Sequence, residues 1–500
     1  MYFPLFYLTL SSVCLCRFTF ASDPSVIIIG AGPAGIAAAA KLLENSITNI
    51  KILEAENRIG GRINSVEFSE SGKFVDLGAE YCHGQTNNIV YELVKDLNIL
   101  EPISQDFSPA LYYSNGSRLD SAFTEELQAV ILGYDSHDSN YNTTGAAIGD
   151  IFLKKYNATI VKKYQNDNEK SKILKEALRL AEQVSLMIDG AFSWIDTSAV
   201  KHYERSEGHQ LLVWKGRGYK TILEVLTKQH PDPKEKLPID DKIFLNTQVS
   251  KITWSSNNEV VVKTLDNTTH VADHVIFTPS VGVLKEQRDA LFDPSLSSPK
   301  LKAIEAIGIG GVMKIIMHFD NEWWRDEDVI FAFLWSKEDL SNVAREFPFG
   351  PIKNEISWLS AVTVMAKVPG NPGVLIAWLT GDFVPEIEQT PVETLKDGCN
   401  YLLNKFLGKD YNITTPDGIL KSTWRSNSHF RGTYSYERAG CDKDNIRYQE
   451  DLAEPLKVQG KPVVLFAGEA TNPVHYSTVH GAIETGYREA QRIINLYKKH

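Results

Sequence analysis

The stretch from Val26 to Arg62 constrains the fold more than any other part of the chain. Four consecutive β-branched residues, Val26 to Ile29, predict a strand that is covered on both faces in a parallel sheet. The glycines of Gly30-x-Gly32-x-x-Gly35 follow at once. They suit a tight turn, a close backbone approach to a pyrophosphate and a helix packed closely on the strand. This pattern predicts the dinucleotide-binding unit of a Rossmann-like α/β fold.

A second strand is predicted over Ile50 to Leu53, and Glu54 follows it 24 residues after Gly30. This spacing is close to the roughly 20 residues expected before the acid that binds a ribose. A carboxylate at Glu54 accepts hydrogen bonds from ribose hydroxyls and repels a 2′-phosphate, so NADP is not expected. Gly60-Gly61-Arg62 then offers backbone donors and a fork-shaped cation to a longer dinucleotide, although a structural salt bridge is the alternative for Arg62.

Residues 1–21 form an apolar stretch that ends in Thr19-Phe20-Ala21, with small residues at both positions that signal peptidase reads. We interpret this stretch as a cleaved secretory signal peptide. An uncleaved anchor is the alternative, because the usual positive charge at the start is missing and Arg17 lies late. No other apolar run is long enough to span a bilayer, so no stable membrane insertion is expected. Five N-x-S/T sequons agree with secretion: Asn115, Asn142, Asn157, Asn267 and Asn412.

The formal charge of −11 argues against a nucleic-acid partner and favours a small cationic ligand. The chain contains no CxxC or HExxH motif, so no metal is expected. Removal of the signal leaves Cys82, Cys399 and Cys441. This odd number permits at most one internal disulfide, for which Cys399 with Cys441 is favoured. Nothing in the sequence indicates an oligomeric state.

At 500 residues the chain is about three times the usual ~150 residues of one domain. Apolar periodicity predicts helices over 170–190, over 392–407 and from Val479 to Tyr497. A strand is predicted over residues 310–319, where Lys314 interrupts an apolar run. Such a lysine either protects an edge strand from pairing with other chains or is a buried functional amine. The residues alone leave both interpretations open.

Taken together, these motifs resemble the flavin-dependent amine oxidases, specifically the polyamine oxidase and spermine oxidase branch. The matching segments follow the family order along the mature chain: residues 30–35, 53–62, 76–84, 280–284, Lys314, 430–435 and 466–482. The resemblance implies an α/β protein with a discontinuous Rossmann-like FAD-binding domain and an interleaved α+β substrate-binding domain. The implied limits are 22–99, 236–290 and 455–500 for the first domain, and 100–235 and 291–454 for the second.

The resemblance also implies the residues of the site. FAD would be held by Gly30, Gly32, Gly35, Glu54, Ala55, Arg62, Gly78, Ala79, Val249, Gly468, Glu469, Thr478 and Val479. Lys314 would be catalytic and hold a water against the flavin N5. His83 would lie at the mouth of the substrate tunnel, with a purely structural histidine as the alternative. The acid that binds a distal ammonium group stays open between Asp189, Asp196 and Glu204.

The function implied by the resemblance is that of a secreted, FAD-dependent polyamine oxidase. It would oxidise a C–N bond of spermine, spermidine or acetylated polyamines to an imine, with oxygen as acceptor. Aldehyde, amine and hydrogen peroxide would be the products. One rival is a secreted L-amino-acid oxidase, which needs an arginine to clamp the substrate carboxylate, with Arg425 as candidate. The other rival is a flavin-binding protein that is catalytically inert.

The link between protein and flavin is testable. Thr433 stands where monoamine oxidases carry the cysteine that bonds to the flavin, so FAD is expected to be non-covalent. Acid precipitation of the protein should therefore release yellow FAD into the supernatant, as measured by its absorbance. Flavin retained in the washed pellet would contradict this expectation.

Overall fold

The computed structural model of the protein describes residues 23–68, 72–103, 109–119, 121–132, 144–254, 259–327, 329–441 and 446–498. The predicted signal peptide and the sequon at Asn142 lie outside these described residues. Strands β1–β24 and helices α1–α13 are numbered along the chain.

One six-stranded sheet carries the dinucleotide motif, and its strands come from separate stretches of the chain. Its order is β23 (Leu456–Val458), β24 (Lys461–Phe466), β12 (His274–Phe277), β1 (Val26–Ile29), β2 (Ile50–Leu53) and β8 (Ile243–Phe244). All neighbours are parallel except β23 and β24. Every residue of β1 is buried, as a parallel strand covered on both faces requires. The two strands predicted around the glycine-rich turn are thereby confirmed.

A second six-stranded sheet contains the strand of Lys314. Its order is β21 (Gly418–Lys421), β15 (Met313–His318), β20 (Val374–Leu379), β19 (Val362–Lys367), β16 (Ile330–Leu334) and β6 (Ala110–Tyr113). Its neighbours are antiparallel except β16 and β6. Strand β15 pairs on both sides, and Lys314 is only 4% exposed. The interpretation of Lys314 as a residue that protects an edge strand is therefore wrong.

The remaining strands form smaller sheets. A four-stranded sheet has the order β11 (Thr269–Ala272), β10 (Val260–Thr264), β9 (Val249–Thr253) and β13 (Phe292–Asp293). Two-stranded sheets pair β14 (Ile307–Ile309) with β22 (Ser435–Glu437), β17 (Ile352–Lys353) with β18 (Ile356–Ser357), β3 (Ser65–Glu67) with β4 (Phe74–Asp76), and β5 (Glu101–Pro102) with β7 (Leu212–Val213).

Thirteen α-helices are assigned in the described residues. They are α1 (Pro33–Glu44), α2 (Ile89–Val94), α3 (Ala122–Leu132), α4 (Ile148–Tyr156), α5 (Asn168–Asp189), α6 (Thr221–Leu226), α7 (Val281–Leu291), α8 (Ser298–Ala306), α9 (Lys337–Glu346), α10 (Val384–Ile387), α11 (Val392–Leu407), α12 (Tyr448–Ala453) and α13 (Val479–Tyr497). The predicted helices over 170–190, 392–407 and Val479 to Tyr497 are confirmed. The domain limits stay a prediction.

Two glycines bring α1 against its neighbours more closely than a side chain would allow. A Cβ added to Gly35 would lie 2.0 Å from the carbonyl oxygen of Gly30, so the helix rests directly on the end of β1. A Cβ on Gly486 would lie 2.2 Å from the carbonyl oxygen of Ala34, so α13 rests on α1. Because of these contacts, the N-terminal residues of both helices lie in the wall of one cavity.

Candidate active site

A cavity of about 950 Å³ brings together the sequence motifs and the second sheet. Every residue predicted for FAD binding or catalysis lines it except Gly35, which packs on the Gly30 carbonyl instead. The lining predicted residues are Gly30, Gly32, Glu54, Ala55, Arg62, Gly78, Ala79, His83, Val249, Lys314, Gly468, Glu469, Thr478 and Val479. One continuous space therefore connects the dinucleotide-binding turn with the buried lysine. The role of each residue stays a prediction.

The part of the cavity beside α1 fits a dinucleotide. The protein atom nearest to a Cβ built on Gly32 is the Cα of Gly61, at 3.8 Å, so the space next to this glycine is open to a ligand. Glu54 is buried and accepts hydrogen bonds from the backbone N–H groups of Ala31, at 2.6 Å, and Glu56, at 2.8 Å. Burial raises the pKa of Glu54, and these backbone bonds partly offset the rise. Each Glu54 oxygen retains a lone pair that suits a ribose hydroxyl.

Arg62 and Glu469 form an ion pair in the wall of the cavity, with Nη1 3.0 Å from Oε1. Arg62 also donates to the carbonyl of Thr433 at 2.8 Å. The other carboxylate oxygen of Glu469 accepts from the Ser435 hydroxyl at 2.5 Å and from the Ser477 backbone N–H at 2.7 Å. A buried carboxylate needs such partners, because an unpaired one costs several kcal/mol. The salt bridge considered as the alternative for Arg62 is present, and it lies within the site.

The start of α13 and the segment at Gly78 approach the same space. Thr478 caps α13, because its hydroxyl accepts from the Gly481 backbone N–H at 3.0 Å. The positive end of this helix dipole therefore faces the cavity. Gly78 has a packing reason to lack a side chain, since a Cβ there would lie 1.8 Å from the Arg62 carbonyl oxygen. Ala79 donates its backbone N–H to that same carbonyl at 3.2 Å.

Lys314 is buried and fully hydrogen-bonded. Its Nζ donates to the carbonyl of Asp76 at 3.0 Å, to the carbonyl of Gly78 at 2.8 Å and to the carboxylate of Glu80 at 2.7 Å. The indole ring of Trp378, its cross-strand partner on β20, lies 4.4 Å away. An ammonium group has three N–H donors, and three acceptors surround this one. The site therefore holds the Lys314 amine by three hydrogen bonds rather than by packing of its aliphatic chain alone.

His83 is held as a neutral ring. Its Nδ1 donates to the carbonyl of Gln210 at 2.7 Å, which leaves Nε2 as an acceptor. Burial lowers the pKa of His83, the charge of Arg205 lowers it further, and the Gln210 carbonyl partly offsets both effects. A neutral imidazole with a free acceptor suits contact with an N–H group of a ligand.

The structure separates the three acidic candidates for a distal ammonium group. Asp189 is buried in the cavity wall and pairs with Lys201, with Oδ1 and Nζ 2.8 Å apart. Asp196 and Glu204 are exposed and are not among the described residues that line the cavity. Asp189 is thus the one candidate of the three that the fold brings to the site.

Arg425 is not where a carboxylate clamp would have to be. The residues that line the cavity in the described chain do not include it. Its backbone N–H donates to Glu388 at 3.0 Å, and its side chain donates to the carbonyl of Arg431 at 3.4 Å. The fold uses Arg425 between loop segments and does not bring it into the described cavity wall, so the structure does not support it as the clamp of an amino-acid oxidase.

The favoured disulfide is also wrong. Cys82, Cys399 and Cys441 are all free thiols, and Cys399 is buried in the apolar face of α11. The number of cysteines limits the number of disulfides, but it does not indicate how far apart Cys399 and Cys441 lie in the fold.

Glu80 and Trp378 are functional candidates that the sequence did not reveal. Glu80 lies within the matched segment 76–84, but nothing in that segment indicates a lysine 234 residues away as its partner. The contact of Trp378 with Lys314 follows from the register between β15 and β20, which a single sequence does not specify.

Comparison with known proteins agrees with this geometry. A profile of the flavin containing amine oxidoreductase family matches residues 33–494. The probable polyamine oxidase 5 of Arabidopsis thaliana is 29% identical, over 96% of this chain and 99% of its own length. The human peroxisomal N(1)-acetyl-spermine/spermidine oxidase is 27% identical, over 95% of each chain. The anon-37Cs protein of Drosophila melanogaster is 26% identical, over 95% of this chain and 92% of its own.

The chain is therefore a flavin-dependent amine oxidase: it belongs to the flavin-containing amine oxidoreductase family. The relatives extend over nearly its whole length, and the polyamine oxidases among them confirm the branch to which the motifs pointed. Within the described part of the chain, none of the helices combines the length and apolar character needed to cross a bilayer.

Asp76, next to Lys314, gives the site a testable pH dependence. Burial raises the pKa of its carboxyl from 3.8 to about 7, although the Ser65 hydroxyl and the Lys314 charge act in the opposite direction. Because the folded-state pKa lies above the unfolded one, the stability from this group is full below pH 3.8 and is lost as pH rises through about 7. Asp76→Asn should reduce the loss of Tm between pH 4 and pH 7 by about 4 °C.

Differential scanning calorimetry across this pH range tests the expectation. Asp96→Asn, at an exposed aspartate, is the matched control and should follow the wild-type curve. A wild-type pH dependence in Asp76→Asn would show that this carboxyl does not titrate as stated.

Proposed function

We propose that the protein is an FAD-dependent polyamine oxidase that uses oxygen as its electron acceptor. The observation that carries the proposal is the burial of Lys314 in the wall of the same cavity that the dinucleotide motifs line. A charged side chain is retained inside an apolar sheet only where ion pairing or chemistry requires it. Family membership identifies that chemistry as the oxidation of an amine.

We propose FAD, bound without a covalent bond, as the cofactor. Gly32 leaves room for a pyrophosphate, Glu54 offers its carboxylate to a ribose, and Arg62 and Glu469 lie farther along the same cavity. Thr433 in place of a cysteine supports non-covalent binding. When bound, the flavin accepts the hydride that the substrate carbon gives up. The protein's part is to bind, orient and exclude water, and α13 directs its positive end toward the cavity.

Charges in the cavity support an amine substrate over an amino acid. Arg62 and Lys201 hold the carboxylates of Glu469 and Asp189, and Lys314 holds that of Glu80. A substrate carboxylate that approached any of these three cations would have to displace its partner. The Arabidopsis and human relatives are named for polyamine and acetylated-polyamine oxidation, which supports the same class here.

The proposed reaction balances with oxygen and water alone. Two electrons and one proton leave the amine carbon as hydride, and the nitrogen loses its own proton, which gives an imine. Water then cleaves the imine to an aldehyde and a smaller amine. Oxygen takes the two electrons and two protons and becomes hydrogen peroxide. For the first step the reacting nitrogen must be neutral, because only its lone pair can help expel the hydride.

Substrate comparison tests this proposal. The purified protein should form peroxide and bleach its flavin anaerobically with spermine, spermidine or an acetylated polyamine, but not with leucine. Mass spectrometry of the products should show an aldehyde and a shortened amine. Turnover of leucine alone would favour the amino-acid oxidase. No flavin reduction by any of these amines would favour the inert flavin-binding protein.

We also propose that the protein is secreted and glycosylated. The apolar stretch over residues 1–21 supports export. The four sequon asparagines in the described chain are all exposed, as glycan attachment requires: Asn115, Asn157, Asn267 and Asn412.

Expression of the full chain in a eukaryotic cell line tests secretion. Protein should accumulate in the medium and run faster on a gel after glycosidase treatment, with a new N-terminus near residue 22. A cytosolic product that retains Met1 would contradict the proposal.

A further inference from the structure

Glu80 and Lys314 form a buried ion pair although 234 residues separate them. Glu80 Oε2 lies 2.7 Å from Lys314 Nζ, and the two side chains are 9% and 5% exposed. Both residues line the cavity, so the pair is part of the surface that a ligand meets. Pairs this deeply buried are costly to break, because the remaining charge has no solvent to stabilise it.

The carboxylate is the only charged partner among the three acceptors of Lys314. The carbonyls of Asp76 and Gly78 take the other two N–H groups, and both are neutral dipoles. If the carboxylate were removed, one donor would lose a charged acceptor and the ammonium group would have no counter-ion in contact. The face of Trp378, 4.4 Å away, offers only a weak attraction.

None of the titratable groups named below supplies the negative charge that Glu80 places next to Lys314. Asp76 has a pKa raised by burial to about 7, so near neutral pH its carboxyl is only partly ionised. Burial and the charge of Glu80 hold the pKa of Tyr81 well above its ordinary value. Burial likewise raises the pKa of Tyr219. Both phenols are therefore neutral, and Glu80 is the acidic side chain in contact with the lysine.

We infer that Glu80 is a positioning residue that holds the Lys314 ammonium group against two backbone carbonyls and cancels its charge, so that a cationic amine can occupy this part of the cavity. The inference rests on the proposed function for the identity of the amine. Without Glu80 the lysine would repel each cation that approaches. At roughly 6 Å and an effective dielectric constant of about 20, this repulsion corresponds to about a hundredfold in cation binding, of which we expect at least about tenfold to remain after screening by salt.

Glu80→Gln tests the inference, because glutamine keeps the size and an acceptor oxygen but removes the charge. Two probes of opposite charge are used on the flavin-loaded enzyme: spermine, and sulfite, an anion that binds at oxidised flavins and bleaches their visible absorbance. The KM for spermine should rise about tenfold, and the Kd for sulfite should fall about tenfold. Both shifts should shrink at high salt. If the substitution only disturbed packing, the binding of spermine and the binding of sulfite would both become weaker.

A double-mutant cycle adds two further variants, Lys314→Met and Glu80→Gln/Lys314→Met. Lys314→Met should weaken sulfite binding, and the double variant, with both charges removed, should bind sulfite within about threefold of wild type. The loss of Tm in the double variant should be smaller than the sum of the two single losses. The matched control is Glu92→Gln, which removes a carboxylate from an exposed ion pair with Lys95. It should change neither the KM for spermine nor the Kd for sulfite.

The inference would be overturned if the KM for spermine and the Kd for sulfite shifted in the same direction, or if neither of them shifted. Additive losses of Tm would also overturn it. If Glu80→Gln does not retain flavin, the Tm cycle on the four proteins still tests whether the two charges are coupled, and additive losses of Tm would overturn the inference. The sulfite and Tm measurements do not depend on amine turnover. A lower sulfite Kd in Glu80→Gln, together with non-additive losses of Tm, in a protein that oxidises no amine would therefore refute the proposed function and leave the charge pair established.

Discussion

The close packing of α1 between the first strand and the last helix is the contact on which the rest of the site depends. Gly35 rests on the Gly30 carbonyl, and Gly486 rests on the Ala34 carbonyl. A single added methyl group at either position would separate these elements. Because they meet, the positive ends of two helix dipoles and the carboxylate of Glu54 line one cavity, which is the arrangement that a dinucleotide requires.

Three ion pairs lie in the wall of the cavity, so charged side chains are paired there rather than absent. Arg62 with Glu469, Lys201 with Asp189 and Lys314 with Glu80 each join residues from distant parts of the chain. Such pairs contribute little net stability, because the desolvation of both charges offsets their attraction. Their effect is that these six charges cancel in pairs, which suits an amine that has to lose a proton before it reacts.

Local patterns in the sequence predicted most of the fold. The strand at Val26, the glycine-rich turn, the long helices and the strand of Lys314 all follow from periodicity and turn chemistry, which are properties of neighbouring residues. Contacts between residues that are far apart in the sequence could not be predicted in this way. That β15 is an interior strand, that Cys399 and Cys441 are unpaired and that Arg425 lies away from the cavity all depend on which distant segments meet. Glu80 was missed for the same reason.

The order of strands in the dinucleotide-binding sheet has a consequence for synthesis. Strand β12 lies between β1 and β24, and α13 covers α1, so the first motif to leave the ribosome depends on some of the last residues to be made. All six strands of the second sheet are synthesised before then. The flavin can be captured only after translation has nearly ended, and a ribosome that stalls before β24 would leave the glycine-rich turn without the neighbours that shape it.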